Sequence, residues 1–217
     1  MIDRDDIKEL LHLQAQGYRL LMWLDEQSVK TPQMLSAAAV AQLSEAASAA
    51  AWMARERGAI PPALLPTRAQ EGRFWPLFAS FFTTSFRVRR LELDDRLLDA
   101  RLKLGTAATA PPQAGVETAK ALAVKHLAAS QGLRLTEAEA HRLIKRPALG
   151  EAAQIWTYVW ELDRRARNKG KGPVAHRIWR SLPWAVKRAL DVEAVLTARE
   201  ALLTAARALL ASADDPP

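Results

Sequence analysis

The segment "VKHLAASQGLRLTEAEAHRLIKRP", Val124 to Pro147, holds the signals for a helix, a turn and a second helix within 24 residues. Its first part continues a helix that we expect to run from Val116 to Ser130, and "GLRL" predicts a turn. Thr136 and Glu139 have capping-box spacing, in which the hydroxyl and the carboxylate satisfy free amides at a helix start. The second helix is expected to stop before Pro147, which cannot continue it.

A helix, a glycine-containing turn and a second helix also describe a DNA-binding helix-turn-helix. The second helix, however, begins with Glu137 and Glu139. Acids at the end that normally meets bases and phosphates disfavour recognition of DNA by this helix. An ordinary αα-hairpin explains the same residues.

The rest of the second half is also predicted to be helical. Helices are expected from about Glu151 to Arg167, from Val174 to Leu182 and from Trp184 to about Leu210, and "NKGKGP" breaks the first of them. The expected inner face of the last helix consists of Val186, Leu190, Val195, Leu202 and Leu209. Trp156 and Trp160 are four residues apart among aliphatic neighbours, which favours a place in the core.

In the first half, apolar residues at helical spacing predict a helix over residues 3–25, followed by a turn at "EQSVKTP". A second helix is predicted over residues 36–57, and Gly58 and "IPPALLP" end it. An aromatic core segment comes next, with Phe74, Trp75, Phe78, Phe81 and Phe82. Alternating apolar residues then indicate a β-hairpin around residues 86–104, although a helix through Leu91, Leu98 and Leu102 is the competing interpretation.

The uncharged stretch "GTAATAPPQAG" has linker composition. We therefore expect an N-terminal helical part with an aromatic core over residues 1–104, a linker over 105–115, a basic helical domain over 116–212 and a disordered tail over 213–217. The fold class expected is mainly α, as one or more helical bundles with one possible short hairpin.

The composition is that of a soluble globular protein, with 49% hydrophobic and 25% charged residues. The chain has no cysteine, which excludes disulfides and thiolate metal sites. An acidic N-terminus does not resemble a signal peptide, and the longest apolar run is interrupted by Gln42, Glu45 and serines. We expect a cytoplasmic protein that does not interact with membranes.

Positive charge is concentrated in one segment, which we call the basic segment, residues 164–190. No acid lies between Asp163 and Asp191, so the segment carries +9 while the whole chain carries +7. Its cations are Arg164, Arg165, Arg167, Lys169, Lys171, Arg177, Arg180, Lys187 and Arg188. Such a local cluster is typical of proteins that neutralise the phosphates of DNA or RNA, and "KGKGP" leaves free amides and open space at a helix start.

Trp179 and Trp184 lie within the basic segment, where each is a candidate either for base stacking or for the core. The segment could instead be a solvated loop, or it could meet an acidic protein partner, which would make the protein a helical adaptor or scaffold subunit.

Catalysis has little support in the sequence. The four histidines, His12, His126, His141 and His176, have no metal-ligand spacing, and Glu137 with His141 suggests a surface contact. Acids that could hold Mg²⁺ in a nuclease, Glu92, Asp94, Asp95 and Asp99, lie near Lys103 around the expected hairpin turn. Turns are often acidic without binding a metal, so these acids do not by themselves indicate a nuclease. We therefore expect no enzyme activity, no metal and no cofactor. The leading hypothesis is a protein that binds the nucleic-acid backbone, alone or as a subunit of a nucleoprotein complex.

Overall fold

The computed structural model of the chain describes residues 2–30, 58–79, 113–167, 178–179 and 182–213. These residues form seven α-helices and one short 3-10 helix at Pro62–Leu64, and none of them lies in a β-strand. The mainly helical, bundle-like fold is therefore confirmed. The hairpin expected at 86–104, the helix expected at 36–57 and most of the linker expected at 105–115 lie outside the described residues, so the linker stays a prediction.

The helices range in length from 5 to 27 residues and are numbered in chain order. They are α1 (Arg4–Lys30), α2 (Glu71–Leu77), α3 (Gln113–Ala129), α4 (Glu137–Ile144), α5 (Pro147–Ala166), α6 (Trp184–Arg188) and α7 (Val192–Ala213). The helix expected from Val116 thus includes Gln113 to Gly115, the last three residues of the expected linker.

The chain divides into two compact units. The first unit comprises Met1–Leu11, Ala110–Asp163 and Val174–Pro217, and the second comprises His12–Thr109 and Arg164–Pro173. Helix α1 therefore contributes residues to both units, and so does α5.

In the first unit, α3 packs on α4 and α7 packs on both. Buried apolar side chains from α1, α3, α4, α5 and α7 form its core: Ile7, Val124, Leu143, Val159, Val195 and Leu202. The start of the chain is attached to α7, because Arg4 pairs with Glu193 and Arg199 donates to the Ile2 carbonyl at 3.4 Å. The packing of α3 on α4 agrees with the αα-hairpin interpretation of residues 124–146.

In the second unit, buried apolar side chains come from α1 and from the aromatic segment. Leu13, Leu20 and Leu24 are buried along one face of α1. The Phe74 ring lies edge-on to Trp75 at 4.7 Å and stacked on Phe78 at 5.7 Å. This confirms the expected aromatic core for the three residues described, whereas Phe81 and Phe82 lie outside the described residues.

Helix α1 extends further than expected. The turn was expected to begin at Glu26, yet Glu26 to Lys30 are helical. Glu, Gln and Lys favour helix, and the first residue in the expected turn that opposes it strongly is Pro32. The expected turn was therefore placed too early.

The junction of α4 and α5 is tighter than expected. Helix α4 stops before Pro147 as expected, but α5 begins at Pro147 and not near Glu151. Proline suits the first position of a helix, because the amide it lacks has no partner there. A Cβ on Gly150 would stand 2.8 Å from the Ile144 carbonyl oxygen, so only glycine fits this approach without a shift.

We expect Gly150→Ala to destabilise the protein by about 1–2 kcal/mol, since the clash with a backbone oxygen outweighs the higher helix propensity of alanine. Gly115→Ala in α3 is the matched control, because nothing lies within 4 Å of the new methyl group. The control should be neutral or stabilising by up to about 1 kcal/mol. Urea unfolding of both variants measures the difference, and equal stability would contradict the tight junction.

The capping box at the start of α4 is confirmed. The Thr136 amide donates to the Glu139 carboxylate at 2.7 Å, and the Glu139 amide donates to the Thr136 hydroxyl at 3.3 Å. The hydrogen bond from the Thr136 amide is the main reason why the pKa of Glu139 is lowered. The stability of the start of α4 therefore depends on the ionisation of Glu139, and so on pH.

We expect the wild type to lose more stability in acid than Glu139→Gln does. A lowered folded-state pKa gives stability that is present above the unfolded pKa of about 4.3 and is lost as the pH falls through the folded pKa. Glutamine can accept the same hydrogen bonds but does not titrate. Melting temperatures between about pH 6 and pH 3 should therefore fall more steeply for the wild type, and parallel pH profiles would contradict the expectation.

The single helix expected from Trp184 to about Leu210 is two helices, α6 and α7. The break comes at Asp191, whose carboxylate accepts a hydrogen bond from the Ala194 amide at 2.9 Å. Aspartate is a strong N-cap residue, so it starts a new helix here and does not continue the old one. Of the five residues expected on the inner face, Val195 and Leu202 are buried, while Val186, Leu190 and Leu209 are partly exposed.

Candidate functional site

The basic segment is described in part. Arg164, Arg165 and Arg167 lie at the end of α5 or directly after it, and Lys187 and Arg188 lie in α6. The other four cations, Lys169, Lys171, Arg177 and Arg180, lie outside the described residues. The two described groups belong to different units, so each is considered by itself.

The three arginines at the end of α5 have different environments. Arg167 is exposed and Arg164 is partly exposed, but Arg165 is only 5% exposed. Each of the three takes part in a polar or ring contact. A buried guanidinium is usually held by such contacts, so Arg165 has the environment of a structural residue, unlike the exposed Arg167.

The acids just before the basic segment are also buried. Glu161 is 2% exposed and Asp163 is 8% exposed, and both take part in contacts within the protein. The two carboxylates are therefore largely out of contact with solvent, whereas Arg167 after them is exposed.

In the first unit, Trp179 forms an aromatic pair with Tyr158 and contacts a lysine of α6. The Trp179 ring centroid lies 5.0 Å from that of Tyr158, with 30° between the ring planes. The Lys187 ammonium lies over the Trp179 ring, 5.4 Å from its centroid. Tyr158 is fully buried, while Trp179 and Lys187 are partly exposed and the neighbouring Arg188 is exposed.

The other tryptophans of this region differ in burial. Trp156 is 3% exposed, which confirms its place in the core, and its indole N–H finds no hydrogen-bond partner among the described residues. Trp160 is partly exposed and stacks on His126 with a centroid distance of 5.4 Å. The side chain of Trp184 lies outside the described part of the structure.

A second group of exposed cations, which the sequence analysis did not single out, lies at the α4–α5 junction: Arg142, Lys145 and Arg146. The run "HRLIKRP" contains them, but cations at the end of a helix are also what the helix dipole favours. They are therefore a reference set of exposed cations outside the basic segment.

Glu137 and His141 make the expected surface contact, with 3.8 Å between the carboxylate and the imidazole Nε2. Within the described ranges, no group of three or more histidine, aspartate or glutamate residues could hold a metal ion. The acids of the nuclease interpretation, Glu92, Asp94, Asp95 and Asp99, and Lys103 lie outside those ranges. None of the described helices is long and apolar enough to cross a membrane.

Comparison of the chain with protein-family models, curated proteins and solved structures found no match.

Proposed function

We propose that this chain is a non-catalytic, cytoplasmic protein that binds the backbone of DNA or RNA through the exposed cations of the basic segment. It acts alone or as a small subunit of a larger nucleoprotein complex. The observation that carries the proposal is the local charge: +9 over residues 164–190 with no acid between Asp163 and Asp191. Lysine and arginine bind phosphates by displacing condensed counterions, which needs charge density more than a particular shape.

The environments of the described residues support the proposal and narrow it. Arg167 and Arg188 are exposed, and the acids Glu161 and Asp163 are buried. Arg165 is removed from the set of phosphate contacts because it is buried. The contacts proposed are therefore made by Arg164, Arg167, Lys169, Lys171, Arg177, Arg180, Lys187 and Arg188.

Binding of this kind should depend little on nucleotide sequence, because phosphate contacts position a protein without reading bases. The experiment is a titration of two unrelated fluorescent oligonucleotides, each as a single strand and as a duplex. We expect the two sequences to bind with equal affinity in each form. A strong preference for one sequence would contradict binding to the backbone alone.

The same titration tests the alternatives. An adaptor that meets an acidic protein would bind a polyglutamate of the same charge but would not bind the oligonucleotides. A nuclease would degrade the oligonucleotides when Mg²⁺ is added, and Asp95→Ala or Asp99→Ala would abolish the cleavage. Under the proposal, the oligonucleotides stay intact.

A further inference from the structure

The inference concerns Trp179 and two side chains that contact it, Tyr158 and Lys187. We infer that Trp179 is a positioning residue, which holds the Lys187 ammonium ready for a phosphate, and that it is not a platform for base stacking. The inference rests on the proposed function and adds to it the ligand chemistry of this part of the segment. The group recognised is the phosphodiester, with or without a base attached.

The position of Trp179 is fixed from the side of the core. Its ring packs at 5.0 Å against the ring of Tyr158, which is fully buried in the first unit. A fully buried aromatic side chain has little freedom to move, because the protein interior is close-packed. Trp179 is therefore attached to the core although it is itself partly exposed.

Lys187 in turn is held by Trp179. Its ammonium lies 5.4 Å from the ring centroid, within the range in which a cation is attracted by the negative face of an indole. A lysine side chain normally loses rotamer freedom when it binds, and that loss weakens binding. A lysine that the free protein already holds in place loses less, so its phosphate contact is stronger.

The same contacts disfavour base stacking. A base that stacked on Trp179 would have to share the ring with Tyr158 and Lys187. Displacing the Lys187 ammonium would break its contact with the ring and would move it away from the place proposed for its phosphate contact. A phosphate contact by Lys187 leaves the ring contacts unchanged, so the backbone is the ligand that this arrangement fits.

The experiment measures the affinity of the full-length protein for a 20-nucleotide thymidine strand and for an abasic strand of equal length, at about 50 and 200 mM salt. One lost phosphate contact reduces the magnitude of the slope of log affinity against log salt by about 0.7 to 0.9. Between the two salt concentrations, this changes the ratio of the affinities roughly threefold. We expect that loss for Lys187→Gln and for Trp179→Leu, on both strands alike. The double variant should lose no more than either single variant, because both remove the same contact.

Trp179→Phe keeps an aromatic face and should retain the wild-type salt slope, which separates positioning from mere packing. Additive losses in the double variant, or a loss confined to the thymidine strand in Trp179→Leu, would overturn the inference. An unchanged slope in Lys187→Gln would overturn it and leave the proposed function standing. If the wild type itself shows no salt-dependent binding, the proposed function fails as well.

Discussion

Replacing Arg167, Lys187 and Arg188 together with glutamine is expected to weaken binding to any oligonucleotide on the order of a hundredfold at 100 mM salt, because three counterion-releasing contacts are lost. The slope of log affinity against log salt should fall by about 2.7 on duplex DNA. Folding should be retained, since these side chains are exposed or partly exposed and Arg165, which is buried, stays in place. Fluorescence anisotropy measures the affinity, and circular dichroism verifies the fold.

The matched control replaces Arg142, Lys145 and Arg146, which are three exposed cations of the first unit outside the basic segment. Both variants have the same net charge, so a difference between them reports where the charge lies and not how much there is. The control should bind nearly as the wild type does. Equal weakening in both variants would show that the basic segment has no special part in binding.

Trp156→Ala is expected to destabilise the protein by roughly 3–5 kcal/mol, because a large side chain that is 3% exposed leaves a cavity in the core. For a chain of this size, that loss lowers the melting temperature by roughly 6–20 °C. Below its melting temperature, Trp156→Ala should bind oligonucleotides with the wild-type slope of log affinity against log salt. Trp160→Ala, at a partly exposed position of the same helix, should cost clearly less.

Differential scanning calorimetry of the two tryptophan variants measures this difference. If Trp156→Ala melted with the wild type and lost affinity for single strands instead, Trp156 would be a stacking residue and its place in the core would be wrong.

The ends of helices that are marked by capping or turn residues could be predicted from the sequence. The capping box of Thr136 and Glu139 and the turn at Gly132, whose φ is 75°, depend only on neighbouring residues. The two misplaced helix starts have local signals too. Asp191 is a good N-cap but was expected to lie inside one long helix, and Pro147 is a good first helical residue but was expected only to end the preceding helix.

The environments of the candidate site residues could not be predicted in the same way. Arg164, Arg165 and Arg167 look alike in sequence, but burial depends on tertiary packing, which places only Arg165 in the interior. The spacing of Glu161 and Arg165, one helical turn apart, was a signal for a structural role that the sequence analysis did not use. The contact of Trp179 with Tyr158 joins residues 21 positions apart, which no local pattern shows.

The salt dependence of wild-type binding tests the central claim most directly. Affinity for one duplex is measured at several salt concentrations between about 50 and 300 mM, and log affinity is plotted against log salt. Eight proposed phosphate contacts predict a straight line with a slope of about −7 if all of them form. A slope near zero, or no measurable binding at the lowest salt concentration, would contradict binding of the nucleic-acid backbone by the basic segment.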